Sequence, residues 1–204
     1  MSSVGRPRVH DENTRAALRA QAERLVAEGG PGALSVRSVA AAAGTTTRAV
    51  YSLFGSKEEL LVEALAQGAF EFIADRLDEL PPTDDPVSDL MTIGVPVFRA
   101  LVLEHPALYR IAFQRIVPGM RPGPELAAAR RRAYTHLTGR IRRVQHAGLL
   151  GGKSVEQAAL EFNAMLEGLA NAELRGSALP ILPAGEEEQA WREALTTVID
   201  GFAG

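Results

Sequence analysis

Apolar residues recur at helical spacing along almost the whole chain, and this periodicity constrains the fold more than any other feature of the sequence. Segments with apolar residues three or four positions apart alternate with breaks rich in glycine and proline, and none shows the strict alternation of a half-buried strand. The spacing therefore predicts an all-α fold. About nine helices are expected, near residues 12–28, 36–43, 47–54, 56–80, 87–103, 107–117, 124–148, 155–176 and 186–203.

The composition is that of an ordinary globular protein. Of the 204 residues, 46% are hydrophobic and 23% are charged, and the absence of cysteine excludes disulfides and thiolate catalysis. No segment approaches the roughly 20 uninterrupted apolar residues of a membrane span, and the N-terminus lacks the apolar core of a signal peptide. We therefore expect a cytoplasmic protein with no membrane partner.

The charge is distributed unevenly along the chain. The net charge is -3, but residues 1–60 carry eight Lys or Arg against six Asp or Glu. The remainder carries 14 basic and 19 acidic residues. A polyanionic partner should meet the first sixty residues, although scatter in a few charges would produce the same asymmetry.

Residues 35–56 have the layout of a helix, a tight glycine turn and a second, shorter helix, as in a helix-turn-helix. Ser35 is a suitable N-cap for the first of these helices, and Gly44 stands where a left-handed C-terminal cap is needed. Thr46 is the expected N-cap of the second helix, and Gly55 ends it.

The second of these helices is amphipathic. At 100° per residue, Val50 and Phe54 share an apolar face, whereas Arg48, Tyr51 and Ser52 lie opposite. The apolar face can dock on the two preceding helices, and hydroxyl, phenol and guanidinium groups on the other face suit phosphates and base edges in a DNA major groove. A small helical hairpin with a polar exterior fits the same spacing.

The stretch AAAAGTTTRAVYSLFGSKEELLVEAL (residues 40–65) resembles the N-terminal domain of the TetR family of one-component transcriptional repressors. The resemblance covers about residues 11–65 and fixes the turn, the caps and the core together. It implies DNA contacts by residues of the short helix and its flanks. Thr46, Tyr51 and Lys57 would bind phosphates, Thr47, Arg48 and Ser52 would face bases, and Arg37 is a further phosphate candidate.

The segment Gly5 to Arg8 reads GRPR and resembles the arms that some family members lay along a minor groove. Arg6 and Arg8 would make the contacts there, although chain termini are often basic without such a role. The predicted organisation is a basic arm (1–10), a helix-turn-helix domain (11–56) and a helical ligand-binding and dimerisation domain (57–204).

Two stretches of the body, LEHPALYRIAF (103–113) and ALEFNAMLEGLANAEL (159–174), resemble the C-terminal domain of one TetR subgroup. That subgroup has a Trp-x-x-His-Gly pattern, for which this chain has Glu167-Gly168 in the last two positions. Aromatic and polar residues of the body could line a ligand cavity, although plain core packing would use the same residues. The candidates are Phe70, Phe98, Arg99, Tyr109, Phe113, Gln114, Tyr134, Phe162, Asn163, Met165 and Glu167.

Two identical helices that read DNA half-sites require a two-fold symmetric protein, so we expect a homodimer. The last two helices are the natural seam, and an ordinary monomeric core is the competing interpretation. The predicted seam residues are Phe162, Leu166, Leu169, Ala170, Trp191, Leu195, Val198, Ile199 and Phe202.

No catalytic or metal-binding pattern is present: the four histidines lack ligand spacing, and neither a phosphate-binding glycine loop nor a nucleophile elbow occurs. The sequence predicts a non-enzymatic, cofactor-free repressor that binds a palindromic operator in double-stranded DNA and is released by a small, mainly apolar effector. A regulator controlled by no ligand or by a protein partner stays open, as does a helical binding protein or enzyme that has lost DNA binding.

Overall fold

The computed structural model describes residues 8–29, 33–56, 65–114, 123–176, 182–183 and 185–203, with side chains from residue 13 onward. Within these ranges the chain is helical and contains no strand, so the predicted all-α fold is confirmed. The nine helices of the described residues are α1 (Arg8–Gly29), α2 (Val36–Ala42), α3 (Thr47–Phe54), α4 (Ala66–Asp78), α5 (Pro86–Glu104), α6 (Pro106–Phe113), α7 (Pro124–His146), α8 (Val155–Leu174) and α9 (Glu187–Asp200).

One helix starts several residues away from its predicted position. Helix α1 begins at Arg8, four residues before the predicted start, so Arg8 and the two residues after it are helical rather than part of an arm. The predicted start of the fourth helix at Ser56 adjoins residues 57–64, which lie outside the described residues. Its end agrees with the prediction, because Pro81 and Pro82 follow shortly after Asp78.

Helix α5 is interrupted by wider, π-helical turns over Ile93–Arg99, between α-helical segments Pro86–Thr92 and Ala100–Glu104. Pro96 lies within the interruption. Proline has no N–H to donate and its ring clashes with the carbonyl four residues earlier, and a wider turn relieves both constraints. The sequence periodicity predicted an uninterrupted α-helix here. The interruption was missed because apolar spacing does not distinguish α-helical from π-helical turns.

By length and composition alone, α5 is apolar enough to cross a membrane, with a mean hydropathy of 1.5. The sequence expectation concerned uninterrupted apolar residues, and Asp89 and Arg99 interrupt those of α5, so this finding does not contradict it. Half of the window is buried inside the protein, and buried core helices pass the same test. Leu90, Val97 and Leu101 are completely inaccessible to solvent.

The chain divides into two compact units. The first comprises residues Met1–Gly68 and Ala107–Leu126, and the second comprises Ala69–Pro106 and Ala127–Gly204. The core of the first unit includes Leu18, Leu34, Val39, Val50 and Phe54, and that of the second includes Phe70, Leu101, Ile141, Phe162, Leu195 and Phe202. The predicted domain boundary after residue 56 stays a prediction.

Candidate nucleic-acid interface

Helix α2 is fixed at its start by local hydrogen bonds. The Ser35 hydroxyl accepts from the Ser38 amide at 2.9 Å, and the Ser38 hydroxyl accepts from the Ser35 amide at 2.9 Å, which forms a reciprocal capping box. Leu34 and Val39, on either side of the cap, are both completely buried. The predicted cap is therefore confirmed, with Ser38 as its second member.

The turn between α2 and α3 has the predicted geometry. Gly44 adopts a φ of 64°, a left-handed conformation that is strained for residues with a Cβ. Two residues later, the Thr46 hydroxyl accepts a hydrogen bond from the Ala49 amide at 3.2 Å and caps the first turn of α3. These local features fix the direction in which α3 leaves the turn.

Helix α3 is only eight residues long, too short to be stable alone, and packing on one face holds it in place. Val50 is 1% exposed and Phe54 is 8% exposed, and α3 contacts both α1 and α2. Gly55, with a φ of 72°, closes the helix by donating its amide to the Tyr51 carbonyl at 2.9 Å. The apolar back of the helix is thus buried as the sequence predicted.

The opposite face of α3 carries the residues expected to meet DNA. Arg48 and Ser52 are exposed, and 55% of Tyr51 is exposed, an unusually high fraction for an aromatic residue in a packed helix. Thr46 and Thr47 are exposed at the helix N-terminus. The structure therefore brings these five predicted residues together on one surface, which we call the α3 surface.

The other predicted DNA contacts lie on another helix or outside the described residues. Arg37 is exposed in the first turn of α2. Arg6 and Lys57 lie outside the described residues, and Arg8 is the first residue of α1 with its side chain outside the described part. Their roles stay predictions.

One residue of this site was missed by sequence reasoning. The Arg15 guanidinium of α1 donates from Nη2 to the Leu53 carbonyl at 2.9 Å, and its Nη1 lies 2.7 Å from Glu125 Oε2. Its Cζ also lies 5.1 Å from the centre of the Phe54 ring. These partners are 38, 110 and 39 positions away in the sequence, so no local pattern could have revealed the contact.

The predicted cavity residues are divided between the two units. Tyr109 and Phe113 belong to the first unit, where their rings stack with centroids 5.2 Å apart. Gln114 lies in the same unit and is exposed. Phe70 and Tyr134 belong to the second unit, with ring centroids 6.4 Å apart. A single cavity lined by both groups stays a prediction.

Arg99, a predicted ligand contact, pairs with a carboxylate of the same unit. Its Nε and Nη2 donate to the two carboxylate oxygens of Glu173 at 3.1 and 2.7 Å, and both side chains are about 15% exposed. Asn163 donates to Glu167 at 2.6 Å, one turn along the same helix. Phe98 and Phe162 are fully buried, and Met165 is half-buried. The polar candidates are therefore engaged with one another or with a neighbour.

A cavity of about 250 Å³ lies between the C-terminal half of α8 and the first turns of α9, within the second unit. None of the predicted ligand residues lines it. Its lining is Leu169, Ala172, Glu173, Gly176, Leu182, Glu187, Ala190 and Trp191. No pattern in the sequence indicated this cavity, because its lining combines residues of α8, of α9 and of the segment between them.

Most residues of the predicted dimer seam are buried within the chain itself. Helices α8 and α9 pack on each other, and a side chain that is buried by its own chain cannot reach a partner. The buried residues of the predicted seam therefore fit the competing interpretation as monomeric core, and the seam itself stays a prediction. They are Phe162, Leu166, Ala170, Trp191, Leu195, Ile199 and Phe202, whereas Leu169 and Val198 stay partly exposed.

Comparison with known families decides the assignment. Residues 18–64 match the family described as "Bacterial regulatory proteins, tetR family", and residues 95–198, just over half of the chain, match the "Tetracyclin repressor-like, C-terminal domain". The chain belongs to the TetR family. TetR proteins are DNA-binding transcriptional regulators rather than enzymes, and residues 18–64, which match their N-terminal family model, include α3.

Solved structures share the fold over nearly the whole of this chain. A protein of unknown function from Rhodococcus sp. RHA1 is 22% identical with a TM-score of 0.77, covering 94% of this chain and 96% of its own. FadR from Bacillus subtilis, solved with stearoyl-CoA, is 15% identical with a TM-score of 0.73 and coverages of 91% and 98%. PfmR from Thermus thermophilus, a TetR family regulator, is 24% identical with a TM-score of 0.64 and coverages of 90% and 96%. No match is found among the curated proteins.

Among the described residues, no group of three or more His, Asp or Glu side chains is placed to hold a metal ion.

Proposed function

We propose that this TetR family regulator is a cytoplasmic, homodimeric repressor that binds a roughly palindromic operator and is released by a small, mainly apolar ligand. The α3 surface carries the proposal. Its residues are held outward by an apolar back that is almost completely buried, and they are of the types that contact phosphates and base edges.

Individual roles follow from side-chain chemistry. The guanidinium of Arg48 can donate two parallel hydrogen bonds to guanine O6 and N7, a contact worth about 1–3 kcal/mol of discrimination between bases. Thr47 and Ser52 lie on the same surface and would meet neighbouring base edges. Thr46 and Tyr51 would bind phosphates through their hydroxyls, and Lys57 and Arg37 through their charges. Arg6 and Arg8 would contact the minor groove.

A palindromic operator requires two copies of α3 related by a two-fold axis. Helix α8 presents an exposed apolar strip that suits such an interface. Leu160 is 69% exposed, Ala164 and Gly168 are exposed, and the half-buried Leu169 borders them. We assign the dimer contact to this strip, with Val198 of α9, in place of the seam residues that are buried in the chain's own core.

Release by a ligand needs two states that differ in the separation of the two α3 helices. A ligand with a differential affinity of about 5.5 kcal/mol for one state would shift the population from 1:99 to 99:1. The FadR structure holds stearoyl-CoA in the same fold, which supports a mainly apolar effector. Membership of the Trp-x-x-His-Gly subgroup stays a prediction, since Glu167 stands in the histidine position.

Footprinting on DNA that flanks the protein's own coding region tests the proposal directly. We expect a protected, roughly palindromic site. Arg48→Ala should weaken binding and relax preference at one base pair of each half-site, whereas Arg142→Ala, which removes an exposed arginine from α7, should leave the footprint unchanged. A footprint that is indifferent to Arg48→Ala and Tyr51→Phe would exclude α3 as the reading helix.

The salt dependence of operator binding tests Lys57 separately. If Lys57 of each subunit neutralises one phosphate, Lys57→Gln should flatten the log–log slope of affinity against salt by about 2. An unchanged slope would remove Lys57 from the phosphate contacts without affecting the rest of the proposal.

A second candidate is a regulator of the same operator that responds to no small ligand or to a protein partner. The complete burial of Phe98 and Phe162 and the pairing of Arg99 with Glu173 favour it. The two candidates separate in a release assay. Fatty acyl-CoA or another apolar effector should dissociate the operator complex at low concentration under the first proposal and should have no effect under the second.

A further inference from the structure

The C-terminal turn of α3 is contacted by a side chain from another helix. The Arg15 guanidinium, on α1, meets the last turn of α3 through the Leu53 carbonyl at 2.9 Å and the Phe54 ring at 5.1 Å. The hydrogen bond to Leu53 is partly buried. Arg15 is therefore placed at the end of α3 opposite to Thr46 and Thr47, and it does not share the α3 surface.

This contact has a clear physical purpose. The last four carbonyls of a helix lack intrahelical partners, and the C-terminus carries a partial negative charge. A guanidinium satisfies one of those carbonyls, complements the charge and lies over an aromatic ring of the same turn. In a helix of eight residues with two buried side chains, Val50 and Phe54, this contact adds a polar restraint from α1 at the last turn.

The second partner of Arg15 is Glu125, with Nη1 and Oε2 2.7 Å apart. Glu125 lies in the first turn of α7. This turn belongs to the first unit, and α7 continues as part of the second unit from Ala127 onward. One guanidinium thus holds the end of the reading helix and the beginning of a helix that runs into the rest of the chain.

The geometry points to Arg15 as a positioning residue for DNA reading. It sets how α3 presents Arg48 and Tyr51, and Glu125 acts on DNA affinity only through Arg15, so that a displacement of the first turn of α7 is transmitted to α3. This inference rests on the proposed function, because it concerns the same DNA-reading helix. Arg15 itself makes no DNA contact in this scheme.

Three variants test it. Arg15→Met keeps the aliphatic stem and removes the guanidinium, Arg15→Lys keeps the charge with a single nitrogen, and Glu125→Gln removes the anchoring charge. Arg24→Met is the matched control, since Arg24 lies exposed on the same helix and donates to its neighbour Gln21 at 2.7 Å. Each is compared with the wild type in operator affinity, in its salt slope and in amide exchange of α3 and of α8.

We expect Arg15→Met to weaken operator affinity about tenfold, the result if most of the stability lost with this charged hydrogen bond is lost from the DNA-reading position of α3. Glu125→Gln should weaken it about two- to threefold because the ion pair is partly exposed, and Arg15→Lys should fall between the two. In the Arg15→Met background, Glu125→Gln should have no further effect. Amides of α3 should exchange faster in Arg15→Met and those of α8 should not, and Arg24→Met should match the wild type.

Several results would overturn the inference. A flatter salt slope in Arg15→Met would make Arg15 a phosphate ligand rather than a positioning residue. Faster exchange in α8 as well as α3 would make it a residue of general stability. If Arg15→Met and Glu125→Gln reduce operator affinity additively, Glu125 does not act through Arg15. If the wild type protects no DNA, the proposed function fails, and unchanged exchange of α3 in Arg15→Met would then refute the positioning role independently.

Discussion

Replacing Arg99 by methionine should destabilise the second unit substantially. The guanidinium makes two hydrogen bonds to Glu173, at 3.1 and 2.7 Å, and the two side chains are only 15% and 14% exposed. Breaking a buried pair typically costs about 3–5 kcal/mol because one charge is left uncompensated. Since both groups retain some solvent contact, we expect a loss of about 2–3 kcal/mol.

The two partners should not be equivalent. In Glu173→Gln, Arg99 keeps Glu188, whose carboxylate lies 3.8 Å from Nη1 and is half exposed. The loss should therefore be smaller, about 1–2 kcal/mol. The double variant Arg99→Met, Glu173→Leu should recover most of the stability, because replacing a buried ion pair by packed apolar side chains is often neutral.

Thermal unfolding followed by the fluorescence of Trp191 measures this effect. Trp191 is the only tryptophan and is 2% exposed within the second unit, so its emission reports on that unit. A loss of 2–3 kcal/mol corresponds to a drop in Tm of roughly 4–12 °C for a chain of this size. Protein concentration must be held constant, because the Tm of a dimer depends on it.

An unchanged Tm in Arg99→Met would refute this reasoning. A double variant no more stable than Arg99→Met would show that the loss came from packing of the arginine stem rather than from the unpaired carboxylate.

Three further predictions concern packing, pH and assembly. Gly94→Ala should cost about 1–3 kcal/mol, because a Cβ there would collide with Leu195. Gly139→Ala, in helix α7 with open space around it, should gain about 0.5–1 kcal/mol. A raised Tm in Gly94→Ala would contradict the first prediction, and a lowered Tm in Gly139→Ala the second. Burial lowers the pKa of His136 below its ordinary 6.5, against the opposing effect of an Asp78 oxygen 3.0 Å away, so the unfolded chain binds the proton more readily and stability should fall as pH drops below about 6.5. In His136→Gln, the urea midpoint of unfolding should change less between pH 7.5 and 5.5 than it does in the wild type. If the midpoints of the two proteins change with pH by the same amount, His136 is excluded as the cause. Leu160→Glu should convert the proposed dimer to a folded monomer, measured as a halved molar mass in light scattering. A variant that stays dimeric would show that the exposed strip of α8 is not the interface.

Features controlled by residues close in sequence were predicted well. The caps at Ser35 and Thr46, the left-handed Gly44 and the end of α3 at Gly55 are all confirmed. Each depends on hydrogen bonds or backbone angles within about four residues, so residue type and spacing are sufficient. The exposed face of α3 followed for the same reason, since helical phase alone separates Val50 and Phe54 from Arg48 and Tyr51.

Features that join distant segments were not predictable in this way. The apolar faces of α8 and α9 were recognised, but their residues were assigned to a partner although the chain buries them itself. Periodicity shows that a face must be covered and does not show by what. Arg99 was predicted to contact a ligand. Its partner Glu173 lies 74 positions away, so no local pattern could indicate their pairing.

The sequence by itself determined the helical class, the helix-turn-helix with its caps and the outward polar side of α3, because turns, caps and helical phase are set by neighbouring residues. Only the tertiary structure decided which charges pair, which apolar faces close on each other and that Arg15 holds the end of α3. Those outcomes depend on which distant side chains the folded backbone brings within a few ångströms, and side-chain chemistry alone leaves many partners equally suitable.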